Sequence, residues 1–151
     1  MHIIEDDLSG AEIRALLELH FAGMLASSPE ESCHFLDFDG LKDASVTFWS
    51  IWAGDKLAGC GALKMLSDDA GEIKSMRTAP EWLGHRVGTQ MLEHIIAVAR
   101  ARGLVRLSLE TGSTPDFDAA HALYQRFGFT YCGPFADYVL DPFSRYMTLE
   151  L

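Results

Sequence analysis

Glu72-Ile-Lys-Ser-Met-Arg-Thr-Ala-Pro80, then Glu81-Trp-Leu-Gly-His-Arg-Val-Gly-Thr89, then a long amphipathic run, then Leu107-Ser-Leu-Glu-Thr111, is the stretch that decides the fold. It reads as a strand, a glycine-containing turn, a helix and a second strand. Val87, Met91, Leu92, Ile95, Ile96, Val98 and Ala99 form an apolar stripe at helical spacing. Arg100 and Arg102 complement the C-terminal dipole of that helix, and Gly103 is a natural stop. The turn falls at the helix N-terminus, where backbone N–H groups have no partner inside the helix. Those donors and the helix dipole favour an anion, most often a phosphate.

Outward from this stretch, Val46 to Ala53 and Leu57 to Leu66 read as two strands of a hairpin punctuated by Gly54-Asp55. Ser67 to Gly71 reads as a turn, and the strand Glu72 to Thr78 follows it. Towards the N-terminus, His2 to Glu5 reads as a short strand. Ser9 is expected to cap the next helix, with Glu12 as its capping-box partner. Ile13, Leu16, Leu17, His20, Phe21 and Met24 keep helical spacing until Ser27-Ser28-Pro29 breaks it. Residues 30–43 are acidic and irregular, with room for a second short helix. Towards the C-terminus, Leu104 to Glu110 is the next expected strand. A helix from Ala119 to Phe127 then ends at Gly128. Phe129 to Cys132 and Tyr146 to Leu151 read as final strands joined by a loop containing Pro134 and Pro142. This order specifies a mixed α/β domain without repeats or linkers, and the length of 151 residues fits one domain.

Composition narrows the classes of function. Hydrophobic residues make up 48% of the chain, with 9 Phe, 3 Trp, 4 Tyr and 6 Met, which suffices for a packed core. The formal net charge of −10, without a Lys/Arg run, argues against a nucleic-acid partner. The acidity fits solubility first and a cationic substrate second. Cys33, Cys60 and Cys132 are an odd number without paired spacing, which fits a reducing compartment. The N-terminus lacks signal-peptide character and no apolar run is long enough to span a bilayer. A cytoplasmic protein is expected.

The turn Leu83-Gly-His-Arg-Val-Gly-Thr89 matches neither the P-loop nor the dinucleotide-binding signature. By itself it also reads as an ordinary strand-to-helix turn. Taken with the strand Glu72-Ile-Lys-Ser-Met-Arg-Thr78, the order of elements and Ala122-Leu-Tyr-Gln-Arg-Phe-Gly-Phe129, the chain resembles the GNAT superfamily of N-acetyltransferases. The resemblance covers nearly the whole chain and is strongest from Glu72 to Phe129. It implies a central mixed, mostly antiparallel sheet whose fourth and fifth strands splay apart, with flanking helices. It implies acetyl-CoA as cosubstrate, held by Met76, Arg77 and Thr78 on the fourth strand, where the pantetheine arm pairs like an added strand. The pyrophosphate would then rest on Gly84, His85, Arg86, Val87, Gly88 and Thr89. Arg126 is the candidate for the 3′-phosphate, and equally a solvated surface side chain. The family's turn reads Arg/Gln-x-x-Gly-x-Gly/Ala. Here Leu83 holds the first position, Arg86 the first glycine, and only Gly88 matches.

The resemblance also makes Tyr124 the candidate general acid for the departing thiolate; without it, Tyr124 reads as a core aromatic. The acceptor must attack as a neutral amine. An amine with a pKa near 10.4 is disfavoured in that form by roughly 4 kcal/mol at pH 7. A carboxylate base is therefore needed, and Glu72 and Glu110 compete for the role. His34, Asp37 and Asp39 lie where the family builds its acceptor site, without zinc-ligand spacing, and no metal is expected. Cys60 reads as a core thiol. The expected reaction is direct acetyl transfer to a primary amine of a small molecule or peptide, without nucleic acid or membrane. The alternative is a non-catalytic acyl-CoA-binding regulatory module. Exposed C-terminal strands leave room for a homodimer.

Overall fold

The computed structural model describes residues 1–27, 29 and 36–151. Its centre is a seven-stranded sheet in the order β1-β2-β3-β4-β5-β7-β6. The strands are β1 (His2–Glu5), β2 (Val46–Ala53), β3 (Lys56–Met65), β4 (Ala70–Thr78), β5 (Arg106–Gly112), β6 (Thr130–Cys132) and β7 (Ser144–Glu150). The helices are α1 (Ala11–Ser27), α2 (Phe38–Leu41), α3 (Val87–Ala101) and α4 (Asp118–Arg126). Every neighbouring pair is antiparallel except β4 and β5, which run parallel. The mixed, mostly antiparallel sheet with flanking helices is the expected architecture.

Alternation along the strands assigns the two faces. Leu63, Ile73, Leu107, Leu109 and Met147 face one way and pack with Met91, Leu92, Ile95 and Tyr124 of α3 and α4. Phe48, Cys60 and Ala62 face the other way and pack under Ile13, Leu16 and Leu17 of α1 and Leu41 of α2. An added Cβ on Gly59 would stand 2.7 Å from the Arg77 carbonyl oxygen and 2.8 Å from Val87 Cγ1. Only glycine lets β3 lie this close beneath the first turn of α3.

The parallel pair is short. Ala70, Gly71 and Glu72 are in register with Arg106, Leu107 and Ser108, and pairing stops there. Both strands continue past that point without each other, β4 to Thr78 and β5 to Gly112. The expected splay is thus present and opens just beyond Glu72. A register shift between Cys60 and Ala62 accompanies Ser75, whose φ of 56° is left-handed. The extra residue is a β-bulge. It keeps Lys74 and Arg77, three residues apart, opposite Ala62 and Cys60 on the same face. Cys60 Sγ donates to the Ser75 carbonyl oxygen at 3.2 Å and supports the bulge from behind.

Several local expectations are corrected. Ser9 does not cap α1: its hydroxyl donates to Asp7 Oδ1 at 2.6 Å, and the Gly10 carbonyl accepts the first helical N–H, from Arg14. The fourth strand begins at Ala70 rather than Glu72, because Ala70 already accepts from the Leu66 and Ser67 amides across a tight turn. The fifth begins at Arg106 rather than Leu104. Gly103, at φ 80°, and Leu104 are taken by the end of α3, where the Leu104 N–H donates to the Ala99 carbonyl at 3.0 Å.

Candidate active site

Three hollows border the splay among the described residues. The first, of about 110 Å³, is a small cavity inside the splay, lined by Glu72, Lys74, Ser75, Glu110, Tyr124, His20 and Tyr138 among others. The second, of about 400 Å³, lies on the α3/α4 side and is lined by Met76, Arg77, Thr78, Val87, Gly88 and Tyr124 among others. The third, of about 690 Å³, is a groove on the opposite face, bordered by Lys64, Arg106 and the β6–β7 loop. Tyr124 lines both the cavity and the α3/α4 hollow. Glu72, Lys74 and Tyr138 line both the cavity and the groove.

The turn before α3 has the shape that an anion needs. Gly84 sits at φ 81°, and Arg86, at φ 61°, occupies the position before the first helical residue without a side-chain cap. Arg86 therefore adopts the left-handed backbone at the place where the related motif carries glycine. That backbone costs a non-glycine residue roughly 1–2 kcal/mol. The first N–H groups of α3 have no partner within the helix. Val87 and Gly88 line the α3/α4 hollow; Gly84, His85, Arg86 and Thr89 stand around the turn outside its lining. Leu83, at the first position of the turn motif, lines it as well, as does Asp116, which was not singled out from the sequence. The Arg77 side chain turns to the α1 face, where an added Cβ on Gly23 would stand 3.6 Å from its Nη1. Arg126 is exposed on the last turn of α4 and is not among the residues lining the hollow. The open end of β4, the glycine-shaped turn and the 400 Å³ hollow fit an extended ligand with a phosphate at one end.

The two competing carboxylates meet the same cavity in different states. Glu72 is buried and engaged: Lys74 Nζ lies 3.1 Å from its Oε2, and the Tyr138 hydroxyl donates to the same oxygen at 2.5 Å. Lys74 Nζ also donates to the Tyr138 hydroxyl at 2.9 Å, which closes a three-membered cluster. Glu110 is half-buried, and its Oε2 has no hydrogen-bond partner among the described residues. Burial pushes its carboxyl up to about 7; Lys74 opposes this, and Glu72 and Asp141 add to it. A carboxyl poised there can accept a proton near neutral pH. Tyr124 is buried on α4, and burial raises its phenol above the ordinary range, so it holds its proton.

At the cavity, sequence reasoning missed Lys74, His20, Tyr138 and Ser75. Lys74 follows Glu72 by two positions, so strand periodicity already placed both on one face. His20 was absorbed into the apolar stripe of α1. Tyr138 lies on the loop between β6 and β7, where no periodicity marks it; that loop docks through ring contacts of Phe135 and Tyr138 with Tyr146. Ser75 acquires its place through the bulge. Of the expected acceptor-side residues, His34 lies outside the described residues, Asp37 caps α2 by accepting from the Gly40 N–H at 2.8 Å, and Asp39 is exposed. Cys60 is a buried free thiol pushed up to about 12, and Cys132 is exposed and free. Among the described residues no group of His, Cys, Asp or Glu side chains is placed to hold a metal ion, and no helix is long and apolar enough to cross a membrane.

Comparison with known proteins agrees with this geometry. Residues 12–129 match the Acetyltransferase (GNAT) family. The chain is 53% identical over 146 residues to the uncharacterized N-acetyltransferase YedL of Escherichia coli, covering 97% of this chain and 92% of that protein. It is 52% identical over 151 residues to the uncharacterized N-acetyltransferase YsnE of Bacillus subtilis, covering the whole of both. Its fold also resembles that of a Bacillus subtilis acetyltransferase crystallised with CoA, at a TM-score of 0.73 and 19% identity, over 99% of this chain and 98% of that one.

Proposed function

The chain belongs to the GNAT acetyltransferase family and is an acyl-CoA-dependent N-acetyltransferase, and from that premise we propose how its residues divide the work. Acetyl-CoA supplies the acyl group as an activated thioester. Its phosphates would be held by the amides of Gly84 to Thr89, assisted by the His85 and Arg86 side chains. Its arm would lie along the open edge of β4 at Met76, Arg77 and Thr78, within the α3/α4 hollow. Arg126, exposed on α4, remains the candidate for the 3′-phosphate. A backbone amide of the bulged strand, that of Met76, would polarise the carbonyl.

The acceptor is a primary amine of a small molecule or peptide, and it would reach the carbonyl through the 110 Å³ cavity. Of the two glutamates, we assign the general base to Glu110 and a positioning role to Glu72. The observation that carries this is the contrast between them: Glu72 is tied to Lys74 and Tyr138, whereas Glu110 Oε2 has no partner among the described residues and its carboxyl is raised to about 7. Each pKa unit by which the base approaches the ammonium is worth about 1.36 kcal/mol of proton-transfer cost. Tyr124, at the junction of the cavity and the α3/α4 hollow, would return a proton to the leaving thiolate. A non-catalytic module fits less well, because a raised, unpartnered carboxyl beside the splay serves proton transfer and does nothing for packing. One domain acting in the cytoplasm, where free thiols persist, belongs to the same reading, as does a homodimer through the exposed strand β6.

The test is thermal stability with and without saturating acetyl-CoA, followed by thioester consumption with a panel of amines. Ligand at 100 times its Kd stabilises by about 2.7 kcal/mol. A shift with acetyl-CoA and CoA but none with NADH, and amine-dependent CoA release, is the expected result. Binding without release in the presence of any amine would overturn the catalytic assignment of these residues.

A further inference from the structure

The 110 Å³ cavity contains more polar atoms than the chemistry above uses. Six buried side-chain nitrogen or oxygen atoms among the described residues have no hydrogen-bond partner, and three of them, His20 Nδ1, Ser75 Oγ and Glu110 Oε2, belong to residues lining this cavity. Glu110 has a role in the reading above. His20 and Ser75 have none. Both are more than nine-tenths buried, His20 at 8% and Ser75 at 9% exposure. Leaving a buried polar atom unpaired is costly, and it persists where something else supplies the partner. They come from different elements, α1 and the bulge of β4, so neither is a by-product of the other's local geometry.

Resting on the acetyltransferase reading, we infer that His20 Nδ1 and Ser75 Oγ bind a neutral hydrogen-bonding group of the acceptor, set close to the amine that Glu110 deprotonates. The acceptor class is then a small amino alcohol rather than a plain alkylamine. The size of the cavity agrees: liquid water takes about 30 Å³ per molecule, so a fragment of only a few heavy atoms fits, and the remainder of a larger acceptor extends into the 690 Å³ groove. The charge pattern also agrees. Lys74, the cation lining the cavity, is engaged with Glu72 and Tyr138, and two carboxylates already line the space, so among the described residues an anionic substituent has no further cation to meet there. His20, with Arg77 as its charged neighbour, presents an uncharged ring that serves a neutral partner.

The experiment compares kcat/KM for two isosteric pairs, ethanolamine against propylamine and serinamide against 2-aminobutanamide, with glycine as the anionic comparator. The variants are His20→Phe and Ser75→Ala, and the control for folding is the acetyl-CoA-induced rise in Tm. The wild type is expected to prefer each hydroxylated member at least ~10-fold and to use glycine poorly, because a site built to pair a hydroxyl is left unpaired by the analogue lacking it. Each variant is expected to bring the ratio towards parity, by lowering kcat/KM for the hydroxylated member more than for its isostere. Equal use of both members by the wild type, or an unchanged ratio in both variants, overturns the inference and leaves the enzyme intact. No transfer to any amine, with acetyl-CoA still binding, overturns the catalytic reading and this inference with it.

Discussion

The Tyr138 hydroxyl donates to Glu72 Oε2 at 2.5 Å, and this bond ties the loop between β6 and β7 to the strand at the point where the sheet opens. Because the same hydroxyl accepts from Lys74, all three groups hold each other in place between the cavity and the groove. Tyr138→Phe removes two hydrogen bonds at once and leaves the Glu72–Lys74 pair short of a partner. A loss of about 1–3 kcal/mol in stability is expected from urea unfolding, because the groups left behind are buried. An unchanged midpoint would show that the cluster is replaced by water at no cost.

Glu110→Gln should lower turnover by about 10²–10⁴-fold, the usual worth of a positioned base. In the wild type the rate should rise with pH through about 7, because Glu110 must be ionised to accept a proton. That limb should vanish in Glu110→Gln and persist in Glu72→Gln. If it is Glu72→Gln that loses the limb, the two roles are exchanged.

Two titratable groups of the cavity, Glu110 and His20, pull stability in opposite directions. Glu110 is raised from 4.5 to about 7 in the fold, so it costs stability progressively as pH rises across that window and nothing below it. His20 is lowered from 6.5 to about 4 by burial and then by Arg77, so it costs stability as pH falls through its own window. Glu110→Gln should therefore gain in Tm over the wild type at pH 8 and not at pH 4. His20→Phe should flatten the acid side between pH 6.5 and 4. Parallel Tm–pH curves for wild type and variants would refute both.

Tyr124→Phe should reduce turnover and leave the acetyl-CoA-induced shift in Tm intact, because the ring packing against Phe129 remains. Full wild-type turnover in this variant would remove the phenol from the mechanism.

Arg86→Gly should raise Tm, since glycine adopts the left-handed backbone without the penalty that arginine carries. Affinity for CoA should stay within about 3-fold if amides form the phosphate cradle. A loss beyond about 10-fold would assign the guanidinium itself to the phosphate.

The sequence made the fold legible where periodicity and punctuation agree. Val46–Ala53 has the predicted bounds, and α3 follows its apolar stripe to Gly103. It misled where local hydrogen bonds compete: Ser9 bonds Asp7 instead of the helix, and Leu104 closes α3 instead of opening β5. At the site, Tyr124 was singled out through the family resemblance and the two glutamates through the need for a carboxylate base, and all three line one cavity. Ser75, His20 and Tyr138 were not singled out, since a bulge, a stripe of mixed residues and a long loop leave no periodic trace.

The parallel seam of only three residue pairs has a mechanical consequence. The sheet is two blocks, β1 to β4 and β5 to β7, joined by a short hinge, and a cofactor arm lying along β4 would act as the missing strut. Amide hydrogen exchange in 73–78 and 109–112 should slow together when acetyl-CoA binds, while the interior of β2 and β3 stays as protected as before.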